Sequence, residues 1–136
     1  MITAVDTSVL LDIVLRDAPD GRRSMAALQS ALADGAIIAC EVVWAEFSAA
    51  YPESSKGGAA LRQFGLEFVP LEADGALAAG AAWRRYRAAG GPRTRVIADF
   101  LIGAHAATQA DRLLTRDRGF YRTYFTDLPL LDPSRA

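Results

Sequence analysis

The sequence predicts an α/β fold of three layers, helices on both faces of a central parallel sheet of four to five strands. Three observations lead there. Short apolar runs alternate with segments whose apolar residues recur at helical spacing, the pattern of parallel strands buried on both faces. At 136 residues the chain is the length of one core, so residues 1–136 are expected to form a single domain. Hydrophobic residues make up 51% and charged residues 23%, enough apolar matter to bury a sheet and too much for a disordered chain.

The elements follow in order. Ile2 to Asp6 is β-capable, and Thr7 or Ser8 then caps a helix through Val9, Leu10, Ile13 and Val14. After a break at residues 18–21, Met25, Leu28 and Leu32 line a helix that ends at Gly35. Ala36 to Ala39 reads as a second buried strand, and Glu41 to Tyr51 as a helix stopped by Pro52. Residues 54–58, Ser-Ser-Lys-Gly-Gly, look most like a loop, with a short helix through Leu61 and Phe64 behind them. Glu67 to Leu71 is a third strand, and Pro70 suggests that it lies at an edge or ends there. Helices over Ala73 to Ala89 and Val96 to Ala110 flank a turn at residues 90–92, followed by strands at Arg112 to Thr115 and Leu128 to Leu131.

Composition excludes several functions. One cysteine, Cys40, and one histidine, His105, cannot build a disulfide or a zinc site of the Cys/His type, so a metal here would be held by oxygen. Cys40 is expected to be a small core residue, and His105 a buried or capping histidine and not a general base. GxxxxGK[ST] and GxGxxG are absent, which speaks against a nucleotide cofactor. The opening run lacks a basic n-region and no apolar stretch is long enough to span a bilayer, so a cytoplasmic protein without a membrane role is expected.

In a sheet of this kind ligands bind beyond the carboxyl ends of the strands, where strand order reverses. Asp6 ends the first strand and Asp117 lies just past the fourth. Asp99 sits in the first turn of the helix RVIADFLIGAHA, and Glu46 lies mid-helix in EVVWAEFSAAY. Each acid alone is read more simply as a cap, a turn or a solvated side chain. Together they converge, and converging carboxylates repel unless a cation neutralises them; hard oxygen donors select Mg²⁺ or Mn²⁺.

At this point the chain resembles the PIN-domain nucleases and, more closely, their VapC toxin members. The marks are VDTSVLLDI, WAEF, VIADFLIGAHA and LLTRDRGFYRTYF, in the family's order over nearly the whole chain. The resemblance implies that Asp6, Glu46, Asp99 and Asp117 are the acidic quartet, with Thr7, Ser8 and Thr115 as supporting hydroxyls. Gly119 stands where the family often carries a further acid, which weakens the case for a fully ligated second metal. The implied activity is metal-dependent cleavage of RNA. Asp6 and Asp99, with Asp117 directly or through water, would hold one Mg²⁺ or Mn²⁺ while Glu46 orients or deprotonates the attacking water or shares a weaker second metal. Thr115 and Ser8 would hydrogen-bond carboxylate oxygens. A cognate antitoxin and a homodimer are implied as partners. A PIN-like module that binds RNA or protein without catalysis is the main alternative; receiver and haloacid-dehalogenase readings fail on their lysine and first-strand motifs.

The remaining charges are uneven. The net charge is −1, but residues 1–83 carry five basic and eleven acidic groups, and residues 84–122 nine and three. The arginine-rich stretch supplies a phosphate path, with Arg116 and Arg118 the substrate-binding candidates beside Asp117. Asp12 is expected to be a surface or capping acid.

Overall fold

The protein's structure, a computed structural model, describes residues 1–15, 18–92 and 95–135. Arg93, one of the arginines in the basic stretch, lies outside them. The chain runs β1 (Ile2–Val5), α1 (Thr7–Val14), α2 (Gly21–Asp34), β2 (Ala36–Ala39), α3 (Glu41–Ser48), α4 (Ser54–Gln63) and β3 (Leu66–Phe68). It continues through α5 (Ala73–Ala88), α6 (Ile97–Gln109), β4 (Arg112–Leu114), α7 (Arg118–Tyr124) and β5 (Leu130–Leu131), with a 3₁₀ turn at Pro133–Arg135.

The five strands form one sheet in the order β3-β2-β1-β4-β5. Every pairing is parallel, with Thr3 opposite Ile37 and Ala4 opposite Leu113. The chain winds outward from β1 through β2 to β3, then returns to the other side of β1 for β4 and β5, so strand order reverses between β1 and β4. A crevice must open above their carboxyl ends, because the helices following the two strands leave in different directions. Asp6 and residues 115–117 follow those strands directly.

The sheet is buried as the sequence predicts. Val5, Ile37, Ile38, Leu113 and Leu114 are inside, covered by Val9, Leu10, Leu28, Phe47, Leu61 and Phe100 from the helices. Cys40 and His105 are both buried, and burial holds the His105 imidazole below its usual pKa. α6 is enclosed almost all round: Phe100, Ile102, Gly103, Ala104, His105 and Ala106 are buried in succession. A Cβ at Gly103 would stand 2.4 Å from the Phe125 ring, so α6 and the segment after α7 approach as closely as they do only because residue 103 has no side chain. Phe100 meets Phe120 edge-on at 5.1 Å and Tyr124 at 5.9 Å. These rings seat α7 on α6 and so set the position of the loop that carries Asp117.

The observed elements differ from expectation at particular places. Residues 54–58 begin α4 rather than a loop. The reason is tertiary: Gly57 is buried against α3, where a Cβ would fall 2.7 Å from the Ser48 Cα, and that close crossing outweighs the poor helix propensity of the two glycines. α3 ends at Ser48, before Pro52 is reached, and β3 ends two residues before Pro70, at the sheet edge. α7 has no counterpart in the sequence reading; its buried face is Phe120 and Tyr121 alone, too short for a helical period to register.

Candidate active site

Asp6 lies between β1 and α1 with an extended backbone (φ −75°, ψ 147°), and its N–H donates to the Leu114 carbonyl at 3.0 Å. The first and fourth strands are thereby tied together at the point where the acid emerges. The carboxylate is almost fully enclosed, 8% exposed. The Thr115 hydroxyl donates to its Oδ2 at 2.8 Å and the Tyr121 hydroxyl at 3.3 Å. Burial pushes the Asp6 pKa up to about 6; hydrogen bonds from Thr115 and the Thr7 backbone pull it down, and the charge of Asp99 raises it. Tyr121, pressed against the same carboxylate, is held well above the usual phenol range, first by burial and then by the charge of Asp6.

Thr115 also accepts the Asp117 N–H at 3.0 Å, so one hydroxyl joins the carboxylate after β1 to the backbone after β4. Asp99, in the first turn of α6, accepts the Val96 N–H at 3.3 Å, which makes it a helix-capping acid and a member of the cleft at once. Glu46 is exposed on α3 yet held by the Thr7 hydroxyl at 2.8 Å. Asp6, Glu46, Asp99 and Asp117 line one cleft of about 810 Å³, together with Ser8 and Arg116.

The family model for the PIN domain matches residues 3–126. The chain belongs to the PIN-domain family. Members of that family are generally nucleases. The PIN fold found here is similar to that of VapBC2 from Rickettsia felis bound to a promoter DNA fragment, at 20% identity over 97% of this chain and 98% of that one, TM-score 0.74. It is also similar to VapBC-1 from nontypeable Haemophilus influenzae, at 15% identity, 98% and 99% coverage and TM-score 0.74. FitAcB from Neisseria gonorrhoeae matches at 20% identity, with all of both chains covered and a TM-score of 0.68. No curated protein matches the chain significantly by sequence.

PIN nucleases typically use divalent metals, and the donors in this cleft fit such an ion. All four acids are hard oxygen donors, one of them strongly desolvated. The Ser8 Oγ is buried in the same cleft without a hydrogen-bond partner among the described residues, an orphan that a hydrated cation would satisfy. Among the described residues no three acids stand close enough to enclose an ion. A side-chain cation stands at their edge instead: Arg95 Nη1 lies 2.6 Å from Asp117 Oδ2 and 4.0 Å from Asp99 Oδ2.

Sequence reasoning missed Arg95. Its only signal was a position four residues before Asp99; the contact is supported through space by Phe120, whose ring centroid lies 4.3 Å from the guanidinium. Arg116 and Arg118, the expected phosphate contacts, are occupied elsewhere. Arg116 donates to both oxygens of Asp12, at 2.6 and 2.9 Å, and lies 3.5 Å from Asp20; Arg118 pairs with Asp132 at 2.7 Å. Asp12 is accordingly not a surface acid. It is buried on α1 and also accepts the Ser24 hydroxyl of α2 at 3.0 Å, because α1 packs its Asp12 face inward against α2 and the loop after β4. Of the supporting hydroxyls, Thr115 bonds Asp6, Thr7 bonds Glu46, and Ser8 bonds neither.

Proposed function

We propose that this PIN domain, residues 1–136, is a metal-dependent endoribonuclease and the toxin of a toxin–antitoxin pair. The observation that carries the reading is the cleft at the strand reversal, an open space lined by Asp6, Glu46, Asp99 and Asp117. Asp6, Asp99 and Asp117 would hold Mg²⁺ or Mn²⁺. Bound there, the cation supplies a Lewis acid for the phosphoryl oxygen and a lowered pKa for the attacking water. Glu46, oriented by Thr7, takes the proton from that water. Thr115 and Tyr121 fix the Asp6 carboxylate, and Thr115 simultaneously fixes the loop of Asp117, so the distance between two ligands is set by one side chain.

Attack by water leaves a 5′-phosphate and a 3′-hydroxyl and does not use the RNA 2′-hydroxyl, so preference for RNA comes from shape and single-stranded character. Structures similar to this fold include VapBC and FitAB assemblies and a toxin–antitoxin complex from Klebsiella pneumoniae, which supports an antitoxin partner; a homodimer and a cytoplasmic setting belong to the same proposal. No helix among the described residues is long and apolar enough to cross a membrane.

Single-turnover cleavage of a mixed RNA pool tests the reading. Cleavage should require Mg²⁺ or Mn²⁺, stop in EDTA, and vanish in Asp6→Asn and Asp99→Asn proteins whose circular dichroism is unchanged. Full activity of either variant removes the metal assignment, and a wild-type protein that binds RNA without cutting it makes the domain a binding module.

A further inference from the structure

A second groove has Arg95 in its wall and no acid in its lining. It has a volume of about 580 Å³ between the last turns of α5 and the start of α6, and its walls include Trp83, Tyr86, Arg87, Arg95 and Val96. A neighbouring concavity on the same turns is lined by Trp83, Arg84 and Arg87. Neither contains an acidic residue. The groove floor is built: the Tyr86 hydroxyl donates to the Pro92 carbonyl, and Gly91 lies so close over the Tyr86 ring that a Cβ would fall 2.5 Å from it.

Four features need a common explanation. Trp83 is only half-buried, its ring tilted 30° to that of Phe100 at 6.4 Å and covered by the Arg87 guanidinium at 5.7 Å. Val96 is 55% exposed at the groove mouth. Arg84 and Arg87 have no acidic partner among the described residues, whereas Arg112, Arg116 and Arg118 all do. Arg95 contributes to the groove wall while its guanidinium reaches Asp117 in the acid cleft, so one side chain touches both concavities. The C-terminal end of α5 favours cations, which accounts for arginines there but not for a half-buried tryptophan beside them.

We propose that this groove is a nucleobase subsite for single-stranded RNA: a base flanking the scissile phosphate takes the place of the Arg87 guanidinium on the Trp83 ring, while Arg84 and the displaced Arg87 take the adjoining backbone phosphates. The proposal rests on the ribonuclease reading and adds the place on the fold where a base of the single strand is held. An aromatic face bordered by unpaired arginines suits an unstacked base with its phosphate. In a duplex both faces of each internal base are already covered, so Trp83 has nothing to receive. Arg95 marks the joint between base subsite and reaction centre, one side chain from each.

The test is equilibrium binding of a short fluorescein-labelled oligouridylate, and of a duplex RNA of equal length, to the full chain in EDTA, with cleavage measured separately in Mn²⁺. Trp83→Ala should weaken single-strand binding about tenfold and leave duplex binding unchanged, and Trp83→Phe should restore most of the loss. Arg87→Ala should weaken binding and lower the slope of log affinity against log salt by about one. In a Trp44→Phe background the remaining Trp83 fluorescence should be quenched by the oligonucleotide. If Trp83→Ala and Arg87→Ala proteins bind the single strand as wild type does while wild type binds and cleaves RNA, the subsite is wrong and the ribonuclease reading stands. If wild type neither binds nor cleaves RNA, both fall. If Trp83→Ala instead changes the oligomeric state in gel filtration without changing RNA affinity, the groove is covered by a second copy and the subsite is overturned.

Discussion

Arg95 Nη1 stands 2.6 Å from Asp117 Oδ2, and the guanidinium rests on the face of Phe120 at 4.3 Å. Positive charge thus reaches the acid cleft from within the chain. The pair is about a third exposed on both sides, so its net worth is that of a surface ion pair, at most about 1 kcal/mol.

A divalent ion taking Asp117 as a ligand has to displace that contact. Arg95→Ala should therefore tighten Mn²⁺ binding by up to about fivefold, the factor that corresponds to about 1 kcal/mol. Titration calorimetry on the RNA-free protein measures it directly. An unchanged or weakened affinity means that Asp117 is not released to the ion.

The buried Asp6 sets a pH dependence for the metal-free protein. In the folded state it keeps its proton up to about pH 6, whereas unfolded it loses it near 3.8, so between those values the folded state binds more protons. The sign follows: stability in chelator is highest below pH 4 as far as this group is concerned, and falls as pH rises to about 6, by on the order of 3 kcal/mol. Asp6→Asn should abolish that slope and raise the Tm at pH 7. Denaturant melts of both proteins in EDTA across this range decide it, and a parallel pH profile for the two contradicts the assignment.

Thr115→Val keeps the shape of the side chain and removes both of its hydrogen bonds. The loss leaves Asp6 without its shortest donor and the Asp117 N–H without its acceptor. Stability should drop by about 1–3 kcal/mol, the cost of leaving buried polar groups unsatisfied. Metal affinity should fall about 10- to 100-fold, as for other residues that orient ligands. A variant with wild-type Mn²⁺ affinity shows that Thr115 serves stability alone.

Arg116 tests the distinction between substrate charge and structural charge. Its partner Asp12 has a side chain only 10% exposed, so Arg116→Ala leaves a nearly buried carboxylate unpaired. We expect a loss of about 2–4 kcal/mol in chemical denaturation, somewhat below the range for fully buried pairs because Arg116 itself is partly solvated. The double variant Asp12→Leu, Arg116→Met should recover most of it. The salt dependence of RNA binding should not change, and a slope reduced by about one would return Arg116 to the phosphate contacts.

Much of the fold was legible because its signals are local. Ala36 to Ala39 is a run of apolar residues short enough for a strand, and it is β2 with those bounds. The Ala73 helix and the helix around Asp99 show their period over three turns or more, and both stand within a residue or two of expectation. Residues 54–58 were misread for the opposite reason: glycine disfavours a helix locally, and only the neighbouring α3, which leaves no room for a Cβ at Gly57, shows why the glycines are there.

By itself the sequence determined the α/β class, the strands that carry Asp6 and Asp117, and the presence of four acids at spacings that a parallel sheet gathers. Periodicity and strand-end position are properties of neighbours along the chain. Which charges are free was decided by tertiary structure alone. Asp12 and Arg116 are 104 residues apart in sequence and form a bidentate pair, while Arg84 and Arg87 sit in the same arginine-rich stretch and meet no acid among the described residues. Electrostatic attraction depends on distance through space and on burial, neither of which is written in residue order. The arginines nearest Asp117 in sequence are therefore paired with distant acids, whereas Arg95 reaches Asp117 itself and Arg84 and Arg87 line the groove beside Trp83.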